Sequence, residues 1–183
     1  MSQAPEITTR RLRLRAFRPE DAQDVFEYAR DPEVLRYTTG RTPRVPPDIQ
    51  PFMDDVTNKP DGAYAWAVRL RDNPRVIGAI EFGSDGAVGT IHGALAKEYW
   101  GKGLMTEAAR AVLGWAFATL GLERVTTEAL AHNKASIRVM QKCGMTLERL
   151  CQDKWDKFDA PVDLGVYTIT RQDWLALRRD ALP

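Results

Sequence analysis

In "RRLRLR" (10–15), Leu12 and Leu14 alternate with arginines, which predicts a strand over 11–17 with one wet face. Pro19 at a first helical position, acids after it, and the stripe Ala22, Val25, Phe26 and Ala29 predict an amphipathic helix over 19–30. "DP" at 31–32 ends it. Residues 33–60 carry Pro43, Pro46, Pro47, Pro51 and Pro60, which predicts a loop with one or two short helices, the kind of segment that carries substrate recognition. Three strands in hairpin order follow: 64–70, 75–82 and 88–96, joined by "RDNP" and "GSDG".

A helix from about Leu104 to Thr119 is predicted with Leu104, Ala108, Ala111 and Trp115 on one face and Gly121 after its end. Then come a strand over 123–130, a helix over 133–143 closed by Gly144, and strands in "MTLERLCQ" and "VDLGVYTI". Thr170 with Asp173 signals the cap of a last short helix. Consecutive strands that then alternate with helices imply an α/β class: a mixed sheet of about seven strands with helices on both faces.

The 183 residues suit one domain, 1–183, with a real core. A formal net charge of +1 gives no global field for nucleic acid or an anionic membrane. No apolar run reaches membrane-spanning length and no signal-peptide core is visible, so a cytoplasmic protein is expected. Cys143 and Cys151 have neither metal nor disulfide spacing, and His92 and His132 are far apart, so no metal is expected.

The stretch "YWGKGLMTEA" (99–108) sets two glycines and a lysine against the start of a helix. Free N–H groups and the positive end of the helix dipole there attract phosphate. A P-loop needs GxxxxGK before Ser or Thr, but Lys102 precedes Gly103, so that motif fails. A dinucleotide fingerprint needs a third glycine where Thr106 stands, and is weak.

Here the chain resembles the GNAT superfamily of N-acetyltransferases, in the branch similar to the ribosomal-protein N-terminal acetyltransferases. "WGKGLM" corresponds to the superfamily's Gln/Arg-x-x-Gly-x-Gly/Ala loop, with Trp100 and Met105 at its ends. "TTRRLRLR" followed by "PEDA" and "DPEV", then "HNKASIRVMQKCGM", then "PVDLGVYTI" with Trp174 extend the likeness from about Thr8 to Trp174. The resemblance implies the GNAT fold, with a mostly antiparallel sheet, and transfer of an acetyl group from acetyl-coenzyme A to an amine. By that resemblance the acceptor is expected to be a peptide N-terminus or a small molecule, and the protein a monomer or homodimer.

By the same resemblance, backbone N–H groups of Trp100, Gly101, Lys102, Gly103, Leu104, Met105 and Thr106 hold the pyrophosphate, with Lys102 adding charge. Leu95 and Ala96 would meet the pantetheine amides where their strand splays from its neighbour. Asn133 would lie on the pantetheine arm and Ser136 near the thioester sulfur. Read from residues alone, the glycines make a tight turn, Asn133 is a helix N-cap, and Leu95 and Ala96 are strand core.

The superfamily's usual acid, a tyrosine seven residues after the helix asparagine, is replaced by Met140, which leaves Ser136 as proton donor. Its usual base, a glutamate, is also missing, since Gly89 and Ile91 stand nearest. His92 has the intrinsic pKa of a base near neutrality, and Glu81 on the neighbouring strand is a second candidate. Either could instead be an ordinary strand residue. Neutralising a lysine amine at pH 7 costs about 4.6 kcal/mol against about 1.1 kcal/mol for an α-amine, so a site without a strong base favours the weakly basic acceptor. Trp155 and Phe158 with Asp153, Asp156 and Asp159 form either a lip for a cationic acceptor or a solvated loop. Cys143 belongs to a helix stripe and reads as core. A coenzyme A sensor without turnover is the alternative function, and a nucleotide-binding module the third.

Overall fold

The computed structural model describes residues 3–180. Its first half contains β1 (Ile7–Thr8), β2 (Leu12–Ala16), α1 (Ala22–Ala29), α2 (Gln50–Thr57), β3 (Ala63–Leu70), β4 (Val76–Asp85) and β5 (Val88–Leu95). Its second half contains α3 (Leu104–Thr119), β6 (Arg124–Leu130), α4 (Lys134–Lys142), β7 (Thr146–Asp153), β8 (Val162–Thr170) and α5 (Arg171–Asp180). One sheet takes all eight strands in the order β1-β2-β3-β4-β5-β6-β8-β7. Every neighbouring pair is antiparallel except β5 with β6. The fold is therefore the expected mixed, mostly antiparallel α/β sheet. The strand beyond the expected seven is β1, whose two residues are too few to show an alternation.

Helices cover both faces. On one, α3 packs Leu104, Ala108, Val112, Leu113, Ala116 and Phe117 against Leu12, Leu14, Trp66, Ile80, Ile91 and Leu95 of the sheet. That stripe sits one position round from the expected one, because α5 also covers the helix and Trp174 stacks on Phe117 with centroids 6.0 Å apart. Trp115 instead lies half-buried at the margin, edge-on to Tyr64 and Trp66 at 4.7 and 5.2 Å. On the other face, Val25, Phe26 and Ala29 of α1 and Met53 and Val56 of α2 cover Ala65, Ala67, Val76 and Ala79.

Punctuation residues behave as the sequence suggests. Pro51 stands in the first turn of α2, and Gly121 and Gly144 leave α3 and α4 with φ of 67° and 84°. Thr170 and Asp173 cap α5 reciprocally, the Thr170 hydroxyl donating to Asp173 at 2.6 Å and accepting its N–H at 3.1 Å. The predicted helix over 19–30 opens as a 3-10 turn, Pro19–Asp21, before α1.

That turn carries an enclosed ion pair. Both carboxylate oxygens of Asp21 accept from the Arg15 guanidinium at 2.7 Å, and one also takes the Arg18 N–H at 2.8 Å. The Arg15 and Asp21 side chains are 12% and 6% exposed, so removing the acid strands a cation with little water to replace it. Asp21→Asn should lower the unfolding free energy by about 3 kcal/mol or more in urea denaturation. A loss below about 1 kcal/mol would show that the pair is dispensable.

Candidate active site

The site begins where two parallel strands part. β5 and β6 pair only through Val88, Gly89 and Thr90 opposite Arg124, Val125 and Thr126. Beyond these, β5 continues on β4 as far as Leu95, and β6 continues on β8 as far as Leu130. The gap between them widens into a fork. The Ala96 N–H is bonded to Ile77 O at 2.8 Å, so antiparallel alternation turns the N–H and C=O of Gly93 and the N–H of Leu95 away from β4 and into the fork. Free backbone groups lining an open cleft are a built receptor for an extended amide-bearing chain.

At the fork's end the chain turns into α3. Gly101 and Gly103 both adopt left-handed conformations, with φ of 72° and 74°. A Cβ added to Gly101 would meet nothing within 4 Å, so space lies open above the turn. From Gly101 through Thr106 no backbone N–H bonds another described residue; the first helical bond is Glu107 N–H to Gly103 O at 3.1 Å. Alternating left-handed glycines and an uncapped helix N-terminus make a concave row of donors, suited to an anion with several oxygens. Trp100 does not join that row: its N–H bonds Lys97 O at 3.1 Å, and its indole N–H donates to Leu95 O at 2.7 Å. Ala96 likewise keeps its groups within the protein, its carbonyl taking the Tyr99 N–H at 3.0 Å. Leu104 is buried and anchors the helix, while Lys102 lies 5.4 Å from the Tyr99 ring centre.

The bulk of Met105 is absorbed by a glycine. A Cβ on Gly93 would fall 3.2 Å from Met105 Cε and 2.8 Å from Ala79 O, so the bare Gly93 admits the methionine. The turn is held from behind by Glu107. Its carboxylate accepts from the Thr9 hydroxyl at 2.6 Å, the Arg11 N–H at 2.8 Å and the Arg11 guanidinium at 2.7 Å. Arg11 in turn donates to Lys102 O at 2.9 Å. Burial alone would raise the Glu107 pKa, but the bonds from Thr9 and Arg11 prevail and hold it below the usual carboxylate range. Sequence reasoning missed this brace, because Arg11 reads as one more arginine of an alternating strand.

The fork's other lip is the start of α4. Asn133 is its N-cap, its side-chain oxygen accepting the Ser136 N–H at 3.2 Å. The Asn133 amide N–H groups and the Ser136 hydroxyl make no bond to a described residue and both side chains are half-buried, so they remain free for a ligand. Met140, further along α4, is buried.

Glu81 and His92 face each other as a cross-strand pair of β4 and β5, on the face covered by α1 and α2. They differ in freedom. Glu81 accepts from Lys59 Nζ at 2.7 Å, and Lys59 is shared with Asp55. His92 is exposed and bonds no described residue. Two residues beyond the last β5–β6 pair on each strand, Glu128 lies on the same face of the sheet as His92, exposed and without an ion pair among the described residues. Glu128 was not singled out from sequence, since its role depends on which strand neighbours β5.

The 31–45 loop reaches the start of α4. Tyr37 meets His132, beside Asn133, edge-on at 5.3 Å. Across the loop, Lys157 donates to Leu35 O and to Gly40 O, the latter at 2.9 Å, and its burial lowers its pKa. The connector before β8 is thereby tied to this loop. Its rings Trp155 and Phe158 lie 6.1 Å apart, and Asp153, Asp156 and Asp159 are exposed.

Cys143 packs under α3, with burial pushing its thiol up to about 11. At pH 8 only about 0.1% of it is then thiolate. Alkylation of the native protein should therefore label Cys151 and spare Cys143 until denaturant is added. Equal labelling rates would contradict the burial of Cys143. Among the described residues, no helix is long and apolar enough to cross a membrane.

Residues 11–146 match the acetyltransferase (GNAT) domain family. The chain is 33% identical over 170 residues to YnaD, an uncharacterized N-acetyltransferase of Bacillus subtilis, covering 92% of this chain and 98% of that protein. The crystal structure of a GNAT-family acetyltransferase from Bacillus anthracis superposes with a TM-score of 0.82 at 26% identity, over 92% of this chain and 99% of the other. Spermidine N-acetyltransferase from Vibrio cholerae, solved in complex with CoA and spermine, shares the fold with a TM-score of 0.76 at 16% identity, covering 90% and 98% of the two chains.

Proposed function

Because this chain belongs to the acetyltransferase (GNAT) family, we propose that it is one domain, 1–183, that moves an acetyl group from acetyl-coenzyme A to a weakly basic amine, of the α-amine class. The observation that carries this reading is the fork of β5 and β6 ending in a row of unbonded N–H groups. The donors of Gly101 to Thr106 suit the pyrophosphate, and Lys102 adds a cation. The edge at Gly93 and Leu95 and the free amide of Asn133 suit the pantetheine amides. Ser136 then stands by the thioester sulfur. Acetyl-coenzyme A supplies the activated acyl group; an amine lone pair forms the new C–N bond as the C–S bond breaks.

The protein's own part is to bring the amine in neutral and to return a proton to sulfur. Ser136, with its free hydroxyl, is placed for the second task. For the first, His92 is the unengaged base, whereas Glu81 is occupied by Lys59. An arrangement with one exposed imidazole suits an amine near pKa 7.8 far better than a lysine. This favours a peptide N-terminus or a small α-amine, in keeping with the resemblance to the ribosomal-protein N-terminal branch.

Thiol release from acetyl-coenzyme A, measured with a panel of amines across pH, tests the reading. If His92 takes the amine's proton, His92→Gln should lower thiol release about tenfold or more near neutral pH and move the rise of rate with pH toward that of an unaided α-amine, about 7.8. A variant that keeps the parental profile and rate makes His92 structural. Binding without thiol release for any amine would favour a coenzyme A sensor.

A further inference from the structure

The sheet's two outer edges are finished differently. At one end, β1 closes it with only Ile7 and Thr8. At the other, β7 runs for eight residues, pairs with β8 alone, and is exposed along nearly its whole length. Proteins usually keep such edges short or guard them with charge, because an unpaired row of N–H and C=O groups recruits another strand. Here Leu150 is 70% exposed and Leu147 49%.

The register of β7 shifts between Leu147 and Arg149. Leu147 is opposite Tyr167 and Leu150 opposite Gly165, two places apart on β8, so both leucines lie on one face. Arg149 lies opposite Val166 on the other face. Glu148 shares that face, since its carboxylate accepts from Thr168, the residue opposite Thr146, and pairs with Arg124 at 3.3 Å. Arg149 makes no ion pair with a described residue. The extra residue thus breaks the usual alternation and sets an acid and a base side by side, between two leucines.

We propose that two copies of this chain join through β7, antiparallel about a two-fold axis between Glu148 and Arg149. Glu148 then faces Arg149 of the second copy, Leu147 faces its Leu150, and Thr146 faces its Cys151. A two-fold axis normal to the sheet keeps every side chain on its own face. In a regular strand, neighbours such as 148 and 149 point to opposite faces and this register is forbidden; the shift in β7 permits it. The occupant is a second copy because the strand is its own complement: each charge meets its opposite and each leucine meets a leucine. This assembly is independent of the catalytic reading.

Light scattering after size exclusion at tens of micromolar should show a dimer. Leu150→Asp, which sets a carboxylate into each leucine pair, should raise the dimer dissociation constant at least about tenfold while the circular dichroism stays unchanged. Facing Cα atoms at about 4.5–5.5 Å lie within disulfide reach. Mild oxidation of Thr146→Cys, which retains Cys151, should therefore yield a covalent dimer. Adding Cys151→Ser to it should abolish the cross-link. A monomeric parent, a dimer indifferent to Leu150→Asp, or equal cross-linking without Cys151 would each overturn the proposal.

Discussion

Two strands that stop pairing while still lying side by side set the terms for this molecule. A backbone N–H or C=O withheld from its neighbour must find another partner or stay in water, at a cost of about 1–3 kcal/mol if it is buried unsatisfied. β5 and β6 separate after Thr90 and Thr126, and each stays in the sheet through its far neighbour, β5 on β4 and β6 on β8. The fork between them is kept open by the rest of the fold, and its free groups are left solvated for a ligand.

The turn at the fork's end has the same logic. Left-handed glycines at 101 and 103 direct successive N–H groups outward, and a row of outward donors has no bonds of its own to fix it. The stiffness comes from outside the turn. The indole of Trp100 is bonded to Leu95, Leu104 is buried, and Glu107 ties α3 to Thr9 and Arg11, with Arg11 reaching on to Lys102. Donors held in place before the anion arrives lose less entropy on binding it.

The sequence makes the elements legible wherever a local rule acts. The hairpin strands β3 to β5, the left-handed turn at Gly101 and Gly103, the Asn133 cap and the Thr170–Asp173 cap all follow from residues within a few places of one another. What depends on distant chain is not legible in that way. Whether Glu81 is free is decided by Lys59, a residue on another segment. Glu128 lies across the fork from His92's strand only because β6 is the strand next to β5, and Ala96 turns from the fork because Ile77 takes its N–H. The Arg11–Glu107 brace spans 96 residues and leaves no periodic trace.

In the proposed function, the N–H row from Gly101 to Thr106 and the fork edge at Gly93 and Leu95 receive the acyl carrier. Amide hydrogen exchange, read residue by residue with and without acetyl-coenzyme A, addresses those groups themselves. If the account holds, these amides exchange rapidly in the free protein and slow by at least about tenfold with saturating acetyl-coenzyme A, while Trp100 and Ala96, already bonded, change little. Saturation with no added protection at 101–106, or protection confined to another face of the sheet, would contradict it.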